Sequence, residues 1–225
     1  MYLVRFIVPP QYGMPYPVRI KCVLNTLAIL PNNGDQAHMA FDKNGEMMMM
    51  KTMVIVAHPN LEQSVRNRAL ADGLRNQPDI LIRDLYQEYG DWNIDVEREQ
   101  RLLLDHDRIV LQFPLYWYSC PPLLKKWFDD VLTFGWAYGP GGDKLGGKEF
   151  LIATTTGGSV NEYRAGGRNW HTISEYLRPI QSAVNRCNGT FLPAFVSYGP
   201  TAEAIHGEAA RYAKHVRQPQ EKLAQ

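Results

Sequence analysis

The stretch RIVLQFPLYWYSCPPLLKKWFDDVL, Arg108–Leu132, joins a short apolar run to an amphipathic segment through an aromatic turn. Residues 108–113 are largely apolar over the length expected of a buried strand. Residues 121–132 carry their leucines, Trp127 and Phe128 on one helical face and their charged residues opposite. The stretch therefore predicts a strand, a turn and a helix packed on a sheet, which is the repeating unit of α/β proteins.

Segments of the same two kinds alternate on both sides of this unit. The sequence predicts a parallel, doubly wound sheet of five strands with helices on both faces. The predicted strands are residues 52–57, 79–85, 108–113, 148–156 and 190–199, and the predicted helices are 64–77, 96–107, 121–132, 171–187 and 202–216.

Composition excludes several classes of protein. The 225 residues carry 24 basic and 23 acidic side chains, so nothing in the net charge of +1 suggests a nucleic-acid partner. The three cysteines are scattered without a C-x-x-C pair, which predicts neither a disulfide framework nor a metal site. Because the chain also lacks a signal peptide and a 20-residue apolar run, we expect a cytoplasmic protein.

Residues 1–50 differ from the rest of the chain. Five prolines interrupt short apolar pieces before the four methionines Met47–Met50. We expect a poorly ordered N-terminal extension, explained by a misplaced start, and the alternative is a hairpin or an arm that binds a partner. The predicted domain then spans residues 51–217, followed by a C-terminal tail, 218–225.

Ligands of a doubly wound sheet bind outside the carboxyl ends of the strands, so the loops that follow the strands are informative. After the first strand, His58 precedes Ser64, which can cap the next helix, and Asn67 adds an amide. A helix N-terminus favours a phosphate. The segment lacks the G-x-G-x-x-G and G-x-x-x-x-G-K-[ST] patterns, which argues against the common dinucleotide and nucleotide loops.

Two further loops reach the same edge of the predicted sheet. The second carries Tyr116, Trp117 and Tyr118, which would form an exposed apolar patch unless a second subunit or a flat ligand covered them. The third, residues 155–158, reads TTGG and allows close approach of the backbone to a ligand. An anion site, an aromatic wall and a polar backbone together suit a flat heterocycle with a phosphate, and FMN and FAD both meet that description.

Three segments resemble one family. They are VAHPNLEQS (residues 56–64), FPLYWYSCPPLLKKWFDDVLTFGWAYGPGG (113–142) and TTGG (155–158). The sequence is similar to the flavodoxin-like NAD(P)H:quinone oxidoreductases of the DT-diaphorase and modulator of drug activity B type. With YQEYGDWNIDVEREQ (86–100), it most resembles the ancillary oxidoreductases of glutathione-gated potassium efflux systems. The likeness spans about residues 52–217 and implies a flavodoxin-like sheet with strand order 2-1-3-4-5.

The resemblance also implies a site. It implies that the first loop holds the flavin phosphate, the second lines the ring and the third wraps the polar edge of the ring. The cofactor residues are then His58, Ser64, Asn67, Pro114, Leu115, Tyr116, Trp117, Tyr118, Thr155, Thr156, Gly157 and Gly158. Trp136 and Tyr138 correspond to the region where quinone or nicotinamide stacks. Tyr163 is the implied catalytic tyrosine. The family histidine that follows it is matched here only by His171, eight residues further on.

The implied activity is a two-electron, ping-pong reduction of a quinone-like acceptor, with NAD(P)H as reductant and FMN, or FAD, as cofactor. The implied assembly is a homodimer with the flavin site at its interface. A different function is also open: a flavin-binding ancillary subunit of a membrane potassium-efflux antiporter, peripheral at the inner face of the membrane. A one-electron carrier of the flavodoxin type is a third possibility, which the near-neutral charge disfavours.

Overall fold

The computed structural model describes the backbone of residues 39–41, 47–199 and 205–218, and the side chains of 50–199 and 207–218. The predicted extension, 1–50, and the predicted tail, 218–225, therefore lie largely outside the described residues. Within the extension, strands β1 (Met39–Phe41) and β2 (Met47–Met49) pair in antiparallel fashion. The predicted disorder of the extension stays a prediction.

The main sheet is parallel throughout and has the predicted order. Its strands run β4-β3-β5-β6-β7, and β8 also pairs with β6, so the second strand of the sheet lies beside the first and the others follow in sequence. The strands are β3 (Thr52–Val56), β4 (Ile80–Asp84), β5 (Arg108–Pro114), β6 (Glu149–Thr155), β7 (Thr190–Phe191) and β8 (Phe195–Ser197). This arrangement confirms the predicted fold class.

The fifth predicted strand, 190–199, is not continuous. It is broken into β7 and β8, and both pieces pair with β6. Pro193 lies in the break, and because proline has no N–H to donate, it cannot continue the ladder. The prediction of one long strand was therefore wrong in detail, although the position of the strand in the sheet was right.

The helices cover both faces of the sheet; two differ from prediction, and the short helix Leu85–Glu88 was not predicted. The first helix ends at Asp72 rather than residue 77. The helix predicted over 171–187 is divided at Leu177, because Pro179 is compatible only with the first turn of a new helix. The helices are α1 (Val65–Asp72), α2 (Leu85–Glu88), α3 (Val96–Asp105), α4 (Pro122–Val131), α5 (Ile173–Tyr176), α6 (Arg178–Arg186) and α7 (Ile205–Arg217).

Two apolar cores hold these layers together, one on each face of the sheet. Alternate residues of β3 divide between them: Met53 and Ile55 belong to one core, and Val54 and Val56 to the other. The apolar face predicted for residues 121–132 is buried in the first core, with Trp127 fully inaccessible. Burial of each such large side chain contributes roughly 1.5–3 kcal/mol, so this packing fixes where the loops at the strand ends lie.

At the amino ends of the strands, a buried arginine joins three elements. Arg108 at the start of β5 is 1% exposed, and it donates through Nε and Nη2 to Glu149 at the start of β6, at 2.9 and 2.6 Å. Its Nη1 donates to backbone carbonyls at the end of α7. In the segments described, none of the helices is both long and apolar enough to cross a bilayer.

Candidate functional site

A cavity of about 410 Å³ opens at the carboxyl ends of the strands, where the fold predicts a ligand site. Loops that follow β3, β5, β6 and β8 all contribute to its wall. The lining residues are His58, Ser64, Val65, Arg66, Asn67, Pro114, Leu115, Tyr116, Thr155, Thr156, Gly157 and Gly199. Its volume lies in the range of small-molecule and cofactor sites, roughly 300–1,000 Å³.

Nine of the twelve cofactor residues expected from the sequence line this one cavity, so the structure brings all three predicted loops together. The remaining three, Trp117, Tyr118 and Gly158, lie outside the lining. The contacts of all twelve with a cofactor stay a prediction.

The first loop ends in the N-terminus of α1. Ser64 caps the helix, and its Oγ accepts a hydrogen bond from the Asn67 N–H at 3.2 Å. The N–H groups of Val65 and Arg66 precede the first intrahelical bonds, so they are available to an anion. The helix dipole adds partial positive charge at the same point. This end of the cavity therefore offers backbone donors to a phosphate.

His58 lines the cavity as a neutral imidazole that can donate a hydrogen bond. Burial lowers the pKa of its imidazole, against the opposing effect of the Asp84 carboxylate. The backbone N–H of Asn60 donates to Nδ1 of His58 at 3.1 Å, which assigns the ring proton to Nε2. Of the two roles that the sequence left open for His58, a donor or a charge, the structure favours the donor.

Buried polar groups lie beneath the cavity floor. The Asn67 amide is 2% exposed, and its Nδ2 donates to Thr155 Oγ1 at 2.9 Å. Gln112, fully buried in β5, donates to the Asn67 backbone carbonyl at 2.7 Å. Asn67 Oδ1 and Gln112 Oε1 have no partner in the described part of the chain. Orphaned buried polar atoms of this kind call for a ligand or water, which fits a polar group bound at this edge.

The aromatic loop is a tight turn with unusual backbone angles. Tyr116 and Ser119 exchange two backbone hydrogen bonds of 2.9 Å, and φ is +45° at Trp117 and +63° at Tyr118. This is the two-residue hairpin turn that normally takes asparagine and glycine at its centre. The turn leaves Tyr116 at the cavity, while the side chain of Trp117 is 93% exposed. Large aromatic residues in left-handed conformation cost of order 1–3 kcal/mol each and cluster at functional sites.

The third loop presents glycine backbone to the cavity. The Thr156 N–H donates to Ser197 O at 2.9 Å, and Thr156 Oγ1 donates to Gly158 O at 2.8 Å, so the loop is held on both sides. A Cβ added to Gly157 would meet no atom within 4 Å. The Gly157 position is therefore open on its cavity side, and a bound group could approach the backbone there closely.

Tyr163 lies beside this loop but lines a different cavity, of about 640 Å³, with Tyr198 and Ile173 among its walls. Burial raises the pKa of the Tyr163 hydroxyl, and hydrogen bonding with the Thr156 side chain opposes that shift. Tyr163 therefore contacts Thr156, which lines the 410 Å³ cavity.

A family model described as a flavodoxin-like fold matches residues 50–216. The chain belongs to this flavodoxin-like family. Among its relatives, the uncharacterized NAD(P)H oxidoreductase YdeQ of Bacillus subtilis is 50% identical over 74% of the chain and 86% of that protein. The ancillary protein KefG of a glutathione-regulated potassium-efflux system in Cronobacter sakazakii is 41% identical over 71% and 89%. These matches confirm the family that the sequence segments indicate.

Solved structures of similar proteins share this fold. General stress protein 14 of Treponema denticola, in complex with FMN, is 38% identical, with a TM-score of 0.72 over 74% of this chain and 97% of that one. An NADPH-quinone reductase from P. pentosaceus is 34% identical, with a TM-score of 0.66 over 74% and 98%.

The other residues predicted from the family likeness lie away from the lining of the cavity. His171 is exposed, 3.6 Å from the Glu175 carboxylate and edge-on to Tyr176. Trp136 and Tyr138 are half-buried against the first core, with the Arg186 guanidinium 5.7 Å from the centre of the Tyr138 ring. The structure therefore does not bring these three side chains into the lining of the 410 Å³ cavity. The side chains described include no cluster of histidine, cysteine and carboxylate residues suited to a metal.

Sequence reasoning missed three lining residues, Val65, Arg66 and Gly199. Gly199 has a φ of +79° and donates its N–H to Gly158 O at 2.8 Å, so a fourth loop supports the third. Arg66 occupies the first turn of α1, where the helix dipole disfavours a cation. That mismatch between residue type and position is the signal that could have identified Arg66.

Proposed function

We propose that the protein is a flavin-dependent NAD(P)H oxidoreductase that binds FMN and passes two electrons to quinone-like acceptors. The observation that carries the proposal is the 410 Å³ cavity, where a helix N-terminus, an aromatic wall and a glycine loop face one space. The NAD(P)H oxidoreductase name of a 50% identical relative and the FMN in a 38% identical structure support it. FAD, which contains the FMN moiety, is the alternative cofactor.

The donor set fits a flavin phosphate and ring. In this proposal, His58 Nε2–H, Ser64 and the first N–H groups of α1 hold the phosphate, and Asn67 orients Thr155 beside it. Pro114, Leu115 and Tyr116 form the wall of the ring. Thr155, Thr156 and Gly157, with Gly158 behind them, meet the polar edge of the ring. Trp117 and Tyr118 belong to the same turn but face away from this cavity.

The bound flavin would supply the redox chemistry, accepting hydride from NAD(P)H and returning two electrons to the acceptor. The chain itself orients the flavin, excludes water from it and donates hydrogen bonds to it. The apolar wall keeps water from one side of the ring, and the Gly157 N–H donates to its polar edge. Tyr163 is the catalytic tyrosine of this proposal: burial raises the pKa of its hydroxyl, and the hydroxyl contacts Thr156 at the edge of the cavity. His171 is the alternative proton donor.

A second copy of the chain completes the site in this proposal. The 93% exposed Trp117, held in a strained turn beside the cavity, is the residue that a homodimer would cover. Trp136 and Tyr138 would then stack on quinone or nicotinamide in the cavity of the partner.

Cys120 and Cys187 are both free thiols, which suits the reducing cytoplasm.

A second candidate function has its own support. A relative at 41% identity is named an ancillary protein of a potassium-efflux system, so the chain could act as a flavin-binding regulatory subunit on a membrane antiporter. Such a role would bring it to the inner face of the membrane. Co-purification with an antiporter would favour this role over that of a free-standing reductase.

The test is the visible spectrum of the purified protein, followed by anaerobic NADPH or NADH and then menadione. We expect flavin absorbance that the nicotinamide bleaches and that menadione restores. A colourless protein that cannot be loaded with FMN or FAD would contradict the whole proposal. Flavin that binds but is not reduced by either nicotinamide would contradict the reductase and favour the ancillary role.

A further inference from the structure

Arg66 connects the two ends of the cavity. Its Nη2 donates to Tyr198 O at 2.7 Å, and its Nη1 donates to Ser197 O at 3.2 Å and to Thr156 O at 3.4 Å. One side chain in the first turn of α1 therefore holds the backbone that follows β6 and β8. The planar guanidinium presents its donors in a fixed fork, which lets it bind several carbonyls at once.

These bonds determine which way the peptide groups face. In a trans peptide the C=O and the following N–H point in opposite directions. Arg66 holds the Tyr198 carbonyl, and the next N–H, of Gly199, points to Gly158 O at 2.8 Å. Arg66 also holds the Thr156 carbonyl, and the next N–H belongs to Gly157, which has no acceptor among the described residues. The Gly157 N–H is thereby directed away from Arg66 at a position that lines the cavity.

Arg66 also leaves positive charge at this edge. The nearest carboxylate, Glu208, lies 3.8 Å from Nη2 and accepts a 2.6 Å hydrogen bond from Ser197 Oγ. The Nε of Arg66 is buried and has no partner in the described segments. A guanidinium whose ion pair is this long is only partly neutralised, and low local dielectric increases its effect on a charge nearby.

We propose that Arg66 is a positioning residue for the flavin, and this inference rests on the proposed function. It fixes the backbone of residues 156–158 so that the Gly157 N–H faces the polar edge of the ring. That edge gains negative charge on two-electron reduction, so the fixed N–H favours the reduced cofactor over the oxidised one. Arg66 thereby sets the reduction potential of the bound flavin without touching the acceptor.

The test compares Arg66→Met and Arg66→Lys with wild type, and Arg68→Met serves as the matched control. Arg68 lies on the same helix, is exposed, and donates to one carbonyl, Glu62 O, at 2.9 Å, away from the cavity. The readouts are FMN affinity by fluorescence titration, the midpoint potential of the loaded protein, and the thermal midpoint of the apoprotein.

For Arg66→Met we expect about a tenfold loss in the preference for reduced over oxidised flavin, which makes the potential about 30 mV more negative. Arg66→Lys should also lower the potential, because an ammonium keeps the charge but cannot span the three carbonyls. Arg68→Met should leave the potential at the wild-type value. If Arg66→Met does not fold, the midpoint potential of Arg66→Lys still tests the proposal.

A potential in Arg66→Met equal to that of wild type would overturn the inference, even if the thermal midpoint fell. Full recovery of the potential by lysine would also overturn it, because charge rather than backbone geometry would then be responsible. Wild-type protein that binds no flavin would instead contradict the proposed function, so the two failures are distinguishable.

Discussion

Arg108 and Arg66 are two largely buried arginines at opposite edges of one sheet, and they differ in how completely they are paired. Arg108, at the amino ends of the strands, binds the Glu149 carboxylate through two nitrogens at 2.6 and 2.9 Å and two carbonyls besides. Arg66, at the carboxyl ends, binds three carbonyls, lies 3.8 Å from its carboxylate and keeps an unpartnered Nε within the described structure.

The difference separates scaffold from site. At the Arg108 edge the charge of this arginine is neutralised inside the chain by Glu149, so the pair needs no ligand. At the Arg66 edge, orphaned amide oxygens, a partly neutralised guanidinium and two left-handed aromatic residues occur together. Unpaired polar groups and strain cost stability, and their presence around one cavity is the pattern expected where a ligand completes the structure.

We expect the largest change in the free energy of unfolding when the Arg108–Glu149 ion pair is broken. Arg108→Met leaves the Glu149 carboxylate, whose side chain is 14% exposed, without its cation. Loss of one partner of a buried ion pair costs about 3–5 kcal/mol. Urea unfolding should show this loss, while Arg108→Met that remains folded should bind FMN as wild type does. A cost below about 1 kcal/mol would show that the edge does not depend on this pair.

A smaller effect of opposite sign is expected at the strained edge. Trp117→Gly removes the left-handed strain at φ +45°, whereas Trp117→Ala removes the same ring but keeps the strain. The glycine variant should be more stable than the alanine variant by about 1 kcal/mol. Equal urea midpoints would show that the turn is unstrained. Both variants should weaken the proposed homodimer in sedimentation, since both delete the exposed ring.

The smallest effect concerns pH. Burial lowers the folded-state pKa of His58 below the usual 6.5, so the unfolded chain binds more protons between those two values. The stability that comes from a neutral His58 is therefore complete above about pH 6.5 and is lost as pH falls through the lowered pKa.

His58→Gln should accordingly lose less stability than wild type when the pH falls from 7 to 5.5. Asp84 faces His58, and burial raises the pKa of its carboxyl, so protonation of Asp84 opposes the loss of stability as the pH falls. Both proteins keep Asp84, so the difference between them reports on His58. Denaturant midpoints at the two pH values measure the difference, and an identical pH dependence in both proteins would contradict the assigned role of His58.

The fold was predictable because burial dictates it. The continuous apolar run of β5 and the one-sided helix α4 require a covered parallel sheet, and both are buried as expected. The breaks at Pro193 and Leu177 were harder, because the flanking pattern stays periodic across them. Three loops of the site were also predictable, since topology alone brings their strand ends to one edge.

Other features of the site could not be read from sequence. The direction of Trp117 depends on the two-residue turn, which places consecutive aromatic residues where asparagine and glycine are usual. The role of Arg66 depends on carbonyls that lie 90 to 132 residues away along the chain. Such contacts between distant loops follow from packing and leave no local periodicity.

We propose that a flavin completes the carboxyl edge of the sheet, and the most direct test is FMN titration of wild type and Gly157→Ala. An alanine methyl at Gly157 meets no protein atom within 4 Å, so the apoprotein should keep its thermal midpoint. We expect wild type to quench the fluorescence of one equivalent of FMN and the variant to bind at least about tenfold more weakly, a loss of about 1.4 kcal/mol. Equal affinity in both proteins, or no binding by wild type, would contradict a flavin site at this edge of the sheet.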